Sequence, residues 1–238
     1  MSSYLPVLVT SLMGTDNGTW FDNPVIRSGY LTAVWETVAK AVSSTTLTML
    51  LGIPLGIALV ATGKDHLFPS RGVNSVLSFI VNVGRSIPFL ILAVAIMPFT
   101  RYLIGTTIGW QGALVPLVVA AVPYYARLVE TAILGVEKGK IEAAQMMGAS
   151  RMRILFDVLL REAAAPLVQA STVLAITLIG FGAMAGALSG GGLGQMAMNY
   201  GYNRYELDVM VLTVVGIVLL VQIVQMVGDM ISRRVDHR

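Results

Sequence analysis

Long apolar stretches separated by short polar breaks make up most of this chain of 238 residues. A helix needs about 20 consecutive apolar residues to cross about 30 Å of hydrocarbon, at a rise of about 1.5 Å per residue. Five stretches reach that length, near residues 38–61, 76–98, 112–134, 166–187 and 209–231. The pattern therefore predicts an all-α polytopic membrane protein with five transmembrane helices and with its two termini on opposite faces of the bilayer.

The composition agrees with a protein embedded in lipid. Apolar residues make up 55% of the chain and charged residues only 12%, which is unlike a water-soluble domain. The chain has no cysteine, so disulfides and thiolate ligands are excluded. Its two histidines, His66 and His237, leave no plausible metal cluster, and we expect no metal site.

The basic residues predict the orientation, because cytoplasmic loops of membrane proteins are enriched in lysine and arginine. One set of loops and the tail hold ten of them: Lys64, Arg71, Lys138, Lys140, Arg151, Arg153, Arg161, Arg233, Arg234 and Arg238. The opposite set holds only Arg27, Arg101 and Arg204. The N-terminus is therefore expected outside and the C-terminus inside. Since these residues occupy loops rather than a groove with stacking aromatic residues, no nucleic-acid partner is expected.

A single membrane domain is expected at 33–231, because no linker or internal repeat divides the chain. Residues 1–32 are expected to form a periplasmic or interfacial extension, in which Trp20 and Tyr30 suit the outer interface. The first 14 residues carry no positive charge, so a cleaved signal peptide is not expected. Residues 232–238 are expected to be a cytoplasmic tail.

The longest polar break contains the sequence EAAQMMGASRMR at 142–153. Two short amphipathic helices are predicted, the first with one apolar stripe of Ile141, Ala144 and Met147 and with Gly148 as a left-handed C-cap. Ser150 can cap the second helix. The apolar positions of that second helix are Met152, Leu155, Phe156 and Leu159. The pattern fits either helices resting on lipid head groups or a docking site on which a partner approaches closely.

Within this break, Glu142, Ala143 and Ala144, followed after three residues by Gly148, resemble the EAA loop of bacterial ABC importer permeases. The resemblance implies that the loop folds into a coupling helix, which sits in a cleft of a cytoplasmic ATPase subunit. The family pattern ends on a proline where this chain has Arg161, and Pro166 could supply the same helix break.

Three further stretches, 82–101, 122–134 and 180–210, resemble the D- and L-methionine ABC importer permeases, over about residues 35–231 in all. The resemblance implies a type I ABC importer permease fold in the bacterial inner membrane. It also implies a homodimer, two ATPase subunits that bind ATP and Mg, and a substrate-binding lipoprotein outside. Methionine as the substrate follows from this resemblance alone.

The chain is not expected to bind ATP or to be an enzyme. The stretch GVEKGKI at 135–141 lacks the spacing and the hydroxyl residue of a phosphate-binding loop. The glycine-rich run 189–194 fails the dinucleotide-binding pattern, and is interpreted as a tight outer turn or a gate that contacts the delivery protein. No nucleophile stands beside an oriented base.

Charged residues inside the predicted spans should face the bundle interior, pair or reach the interface. Arg85 is the deepest, and is expected either to pair with a carboxylate such as Glu130 or to line the substrate path. Arg127 and Glu130 lie nearer the cytoplasmic end of their span. Gly182 and Gly186 form a small-residue face that suits helix packing, a dimer interface or the path lining.

Two other functions remain open from the sequence. One is an ABC permease for a different small amino-acid-like solute. The other is an ion-coupled secondary carrier, which requires protonatable groups at mid-membrane and usually a repeated architecture, neither of which is evident here.

Overall fold

The computed structural model describes residues 22–64 and 67–236, and these contain helices and turns but no β-strand. Nine helices of this described part are labelled in chain order: α1 Pro24–Ala61, α2 Arg71–Ser86, α3 Phe89–Ala95, α4 Met97–Ile104, α5 Gly109–Leu134, α6 Lys138–Met146, α7 Ala164–Ala185, α8 Gly192–Met196 and α9 Leu207–Val235. Between α6 and α7 a π-helix, Ile154–Leu159, joins two single turns, Arg151–Arg153 and Leu160–Glu162.

Four of the described helices are long and apolar enough to span a membrane, namely α1, α5, α9 and α7 with its extension to Leu188. The second predicted span is broken, because α2 and α3 meet at an angle of 100°. The reason lies in Pro88, which lacks an N–H and forces the preceding residue out of the helical region. Ile87 accordingly has an extended backbone, with φ −85° and ψ 122°. When the bent pair is counted as one span, the described residues contain five spans, as predicted. The second span, however, is not the straight helix that was expected.

The first helix begins well before its predicted span at 38–61. Asn23 caps α1, its side-chain oxygen accepting from the N–H of Val25 at 2.9 Å, and Pro24 occupies the first turn, where its missing N–H costs nothing. The boundary expected between residues 32 and 33 therefore lies inside a continuous helix. Most of the expected N-terminal extension, residues 1–21, lies outside the described residues.

The central helix of the bundle is α5, which packs along most of its length against α1 and α7. One face of α5 is fully buried, and includes Leu117, Ala121, Tyr125 and Val129. The Tyr125 hydroxyl lies 2.7 Å from the hydroxyl of Ser171 on α7, which satisfies both polar groups inside the bundle.

Close approach of α1 to α5 requires a glycine on α1. A Cβ added to Gly56 would lie 2.6 Å from the Cβ of Val129 and 2.7 Å from the carbonyl oxygen of Ala126. The Ala126 oxygen belongs to the backbone, so it cannot move away as a side chain could. Small residues at such crossings are the usual means of packing membrane helices.

Gly56→Ala is therefore expected to lower the free energy of unfolding by about 1–3 kcal/mol through overpacking. Gly29→Ala is the matched control, since Gly29 lies on the same helix with no neighbour within 4 Å of an added Cβ. The control should be neutral or slightly stabilising, because alanine favours a helix more than glycine does. Thermal unfolding of both variants in detergent measures the difference, and equal shifts of the midpoint would contradict the proposed steric cause.

Candidate functional site

The segment that the sequence singled out folds as a short helix with a sharp end. At the end of α6 the N–H of Ala149 donates to the carbonyl of Ala144 at 3.0 Å, and the N–H of Gly148 donates to that of Gln145 at 2.9 Å. These two bonds form a Schellman motif, which needs a left-handed residue directly after the helix. Gly148 has φ +78°, which confirms the predicted C-cap.

The second helix of the segment also begins as predicted. The Ser150 hydroxyl accepts from the N–H of Arg153 at 3.4 Å, an N-cap contact. Only half of its predicted apolar face is buried: Leu155 and Leu159 are buried as expected, whereas Met152 and Phe156 are 54% exposed. Ile154 is buried instead. The π-helix at Ile154–Leu159 accounts for the difference, since its wider turn changes which residues share a face.

The first helix, α6, presents its charged and small residues to the outside. Glu142, Ala143 and Gly148 are exposed, and Met147 is 81% exposed rather than part of the predicted apolar stripe. Ala144 is only 5% exposed and belongs to the buried cluster that contains Leu155. Ala144 thus anchors α6 to the protein, while its neighbours form the surface available to a partner.

Two contacts hold this segment in place, one inside it and one to a neighbouring loop; we call it the coupling segment (138–162). Lys140 forms an ion pair with Glu162, which joins its two ends. The guanidinium of Arg151 lies 5.8 Å from the ring centre of Phe68 in the loop that precedes α2. A cavity of about 680 Å³ lies between that loop and the coupling segment, lined by Leu67, Pro69, Lys138, Ile141, Glu142, Gln145, Ala149, Arg151, Ile154 and Leu159. The coupling segment is therefore held by these contacts, while the cavity beside it remains accessible.

The charges inside the membrane helices pair differently from the expectation. Glu130 forms an ion pair with Arg127, one turn away on α5, and not with Arg85. Arg127 also donates to the side-chain oxygen of Asn82 on α2 at 3.0 Å. The expected pair of Arg85 with Glu130 is therefore not formed, because a nearer arginine on the same helix takes the carboxylate. Arg85 itself is exposed.

At the opposite end of the bundle a buried lysine holds the glycine-rich run. Lys40 of α1 is 2% exposed, and its ammonium donates to the carbonyls of Gly182, Gly190 and Gly191 at 3.0, 2.9 and 3.0 Å. Three acceptors match the three N–H bonds of an ammonium group. We call the run 189–194 the glycine loop; it is fastened to α1 by a charged anchor.

Two more side chains on the same face of α1 hold the glycine loop. A carboxylate oxygen of Glu36 accepts from the N–H of Gly192 at 2.7 Å, and the Thr37 hydroxyl accepts from the N–H of Leu193 at 2.9 Å. These contacts satisfy backbone groups at the start of α8 that lack helical partners. The glycine loop is thus bound through both its backbone N–H groups and its carbonyls, by Glu36, Thr37 and Lys40.

The two glycines singled out on α7 make room for this arrangement. A Cβ on Gly182 would lie 3.0 Å from Cε of Lys40, and one on Gly186 would lie 2.3 Å from the backbone nitrogen of Gln195. Both are close approaches within one chain. A groove of about 630 Å³ lies beside the loop, with Glu36, Gln195 and Tyr200 among its lining residues.

Sequence reasoning missed Lys40, although the signal was present. Lys40 lies inside the first predicted span, and a charged residue within an apolar stretch is costly unless it is paired or functional. Its partners are carbonyls, which no side-chain pattern reveals. Within residues 22–64 and 67–236, no group of histidine, aspartate and glutamate residues is placed to hold a metal ion.

The class of protein is a membrane permease, a polytopic helical bundle in which one span is broken. The chain belongs to the family described as the binding-protein-dependent transport system inner membrane component, whose profile matches residues 52–238. Its fold is the type I ABC importer permease fold, as predicted from the sequence.

The similar proteins are transporter subunits. The probable D-methionine transport system permease protein MetI of Vibrio cholerae is 46% identical over 208 residues, which cover 87% of this chain and 92% of the relative. The methionine import system permease protein MetP of Bacillus subtilis is 46% identical over 180 residues, covering 76% and 81%. A structure of the MetNI methionine ABC transporter in inward-facing conformations has a TM-score of 0.88 at 43% identity, covering 90% of this chain and 100% of that one.

Proposed function

We propose that this chain is the membrane permease subunit of an ATP-driven importer of methionine, and that it hydrolyses no ATP itself. The observation that carries the proposal is the coupling segment, in which Ala144 is buried while Glu142, Ala143 and Gly148 face outward. A partner ATPase that closes on this surface can shift the permease between outward-open and inward-open states, provided that it binds one state more tightly. The methionine specificity rests on the similarity to MetI, MetP and MetNI.

The assembly that we propose contains a second copy of this chain, two ATPase subunits with bound ATP and Mg, and an extracytoplasmic binding lipoprotein. Support for the ATPase partner comes from the exposed coupling segment and from the resemblance to the MetNI transporter. Broad apolar faces on the spanning helices, such as the outer side of α9, suit contact with membrane lipid or with a second copy.

We further propose that the coupling segment faces the cytoplasm and the N-terminus lies outside. The excess of basic residues in the loops on the side of Lys138 and Arg151 supports this orientation. The glycine loop then lies at the outer face, where its adjoining groove is available to the lipoprotein.

Reconstitution tests the proposed function. In liposomes that contain ATP, we expect accumulation of radiolabelled methionine only when the permease, its ATPase and its lipoprotein are all present. The permease alone should accumulate none, with or without an imposed proton or sodium gradient. Gradient-driven uptake by the permease alone would instead identify a secondary carrier, and uptake of another amino acid in preference to methionine would overturn the substrate.

A further inference from the structure

Helix α2 carries a polar stripe along one side. Its polar side chains recur at steps of three and four residues, the spacing of one helical face. They are Ser75, Ser78, Asn82, Arg85 and Ser86. Only Val81 of α2 is buried within the chain, so this stripe is open to whatever lies beside the helix.

Arg85, on this stripe, lies near the middle of the membrane thickness. The adjacent residue Gly84 approaches α5 so closely that an added Cβ would lie 2.6 Å from Cγ of Pro123. Pro123 lies near the midpoint of α5, whose bounds are Gly109 and Leu134, and α5 is long enough to cross the bilayer. Arg85 is therefore held at the depth where lipid head groups are farthest away.

Arg85 has no counter-charge in the described part of its own chain. Among the residues that the structure describes, it makes neither an ion pair nor a hydrogen bond, whereas Arg127 has both Glu130 and Asn82. A guanidinium remains charged at any usable pH, and an isolated charge at the bilayer centre is costly. An anion from outside the chain is therefore needed beside Arg85 for at least part of the transport cycle.

The described helices of a second copy offer no free carboxylate at this depth. The described spanning helices contain four carboxylates, at Glu36, Glu130, Asp208 and Asp229. Each already accepts a hydrogen bond, from Gly192, Arg127, Asn23 and Gln225 in that order. Glu36 and Asp208 lie toward the glycine-loop end, whereas Glu130 and Asp229 lie past the midpoints of α5 and α9, toward the coupling segment. Glu130 already neutralises Arg127. A transported amino acid carries an α-carboxylate to this depth as it crosses the membrane, and can supply the anion.

We propose that the guanidinium of Arg85 binds the α-carboxylate of the transported amino acid as it crosses the membrane, an inference that rests on the proposed function. Arginine suits this role because its planar fork makes two parallel hydrogen bonds to a carboxylate. The break after α2 provides a complement for the α-ammonium group. The residue four positions after Gly84 is Pro88, which has no N–H, so the Gly84 carbonyl is without a helical donor.

The test uses the complete transporter in liposomes with ATP and lipoprotein. Arg85→Gln should reduce methionine uptake by about 10- to 100-fold, the loss of a charge-assisted contact, while ATP hydrolysis by the assembled complex persists. Arg101→Gln is the matched control, because Arg101 is also exposed but lies on α4 near the glycine-loop end, and it should transport normally. Normal uptake by Arg85→Gln overturns the inference while leaving the proposed function intact. Absence of uptake by the wild-type complex refutes the proposed function instead.

A second measurement uses the wild-type protein, so it tests the inference even if the Arg85→Gln variant fails to assemble. Labelled methionine is bound to the permease–ATPase complex without lipoprotein, and unlabelled competitors are added. Methionine should displace the label, whereas methioninamide, which lacks the carboxylate, should be at least about tenfold weaker. Equal displacement by both compounds would show that the carboxylate is not recognised, and would overturn the inference.

Discussion

Lys40→Met is expected to release the glycine loop and to destabilise the protein severely. Methionine has a similar length but no donor, so the carbonyls of Gly182, Gly190 and Gly191 would lose their partner in a site that is 2% exposed. A buried polar group left without a partner costs about 1–3 kcal/mol, so three of them should lower the free energy of unfolding by at least about 3 kcal/mol.

The local effect is measurable by hydrogen exchange. The N–H groups of Gly192 and Leu193 donate to Glu36 and Thr37, and should exchange much faster once Lys40 no longer holds the loop beside α1. Lys64→Met removes an exposed lysine just after the same helix, and provides the control. If exchange in the peptide covering 186–196 is unchanged in Lys40→Met, the ammonium is not the anchor of the glycine loop.

Lys40→Arg should not rescue the loop, although it retains the positive charge. Gly182 leaves little room, since even a Cβ at that position would lie 3.0 Å from Cε of the lysine. The wider guanidinium would have to displace α7 or leave the three carbonyls unevenly satisfied. The geometry at this site therefore requires a compact ammonium group.

Gly148→Arg is expected to reduce methionine uptake strongly while leaving the fold almost intact. The left-handed backbone at Gly148, with φ +78°, should cost about 1 kcal/mol with a non-glycine residue. An added Cβ meets nothing within 4 Å, so the chain itself has room for the side chain. A bulky cation would, however, stand on the surface that we propose as the ATPase contact. Methionine uptake should fall by more than about tenfold, since a mismatched charge at an interface costs more than about 1.4 kcal/mol.

Three comparisons separate docking from backbone strain. Gly148→Asn keeps a residue that tolerates the left-handed conformation and should retain more activity than the arginine variant. Gly72→Arg adds the same charge at an exposed glycine of α2 with no neighbour within 4 Å, and should transport normally. Glu142→Gln should weaken uptake in the same direction as Gly148→Arg. Co-purification of the ATPase gives the direct measure, and full retention of both the ATPase and uptake by Gly148→Arg would refute the coupling role.

Local chemistry explains why parts of the candidate site were predictable. A glycine after α6 and a serine before the next helix act through hydrogen bonds to residues within five positions, and both caps occur where the sequence placed them. The family resemblance rested on contiguous stretches, the EAA motif and the segments 82–101, 122–134 and 180–210, and is confirmed by the match to residues 52–238.

Errors arose where backbone geometry changed the helical period or interrupted it. The apolar face of the second coupling helix was predicted with an α-helical period, but a π-helix forms there, so Phe156 is exposed while Ile154 is buried. The span near 76–98 was predicted as one straight helix, but α2 and α3 meet at 100° because Pro88 interrupts the helix there. Glu130 was expected to pair with Arg85 but pairs with Arg127, because Arg127 lies nearer in the folded protein.

The membrane class, the number of spans and the place of the coupling segment follow from the amino-acid sequence alone, because they depend on apolar length and on residues that are neighbours in the chain. Helix packing was needed to establish three further features. Lys40 binds carbonyls 142 to 151 positions away, Met147 faces outward, and Arg85 has no counter-charge among the described residues. Each of these depends on distances between separate helices, and such distances are set only when the helices pack together.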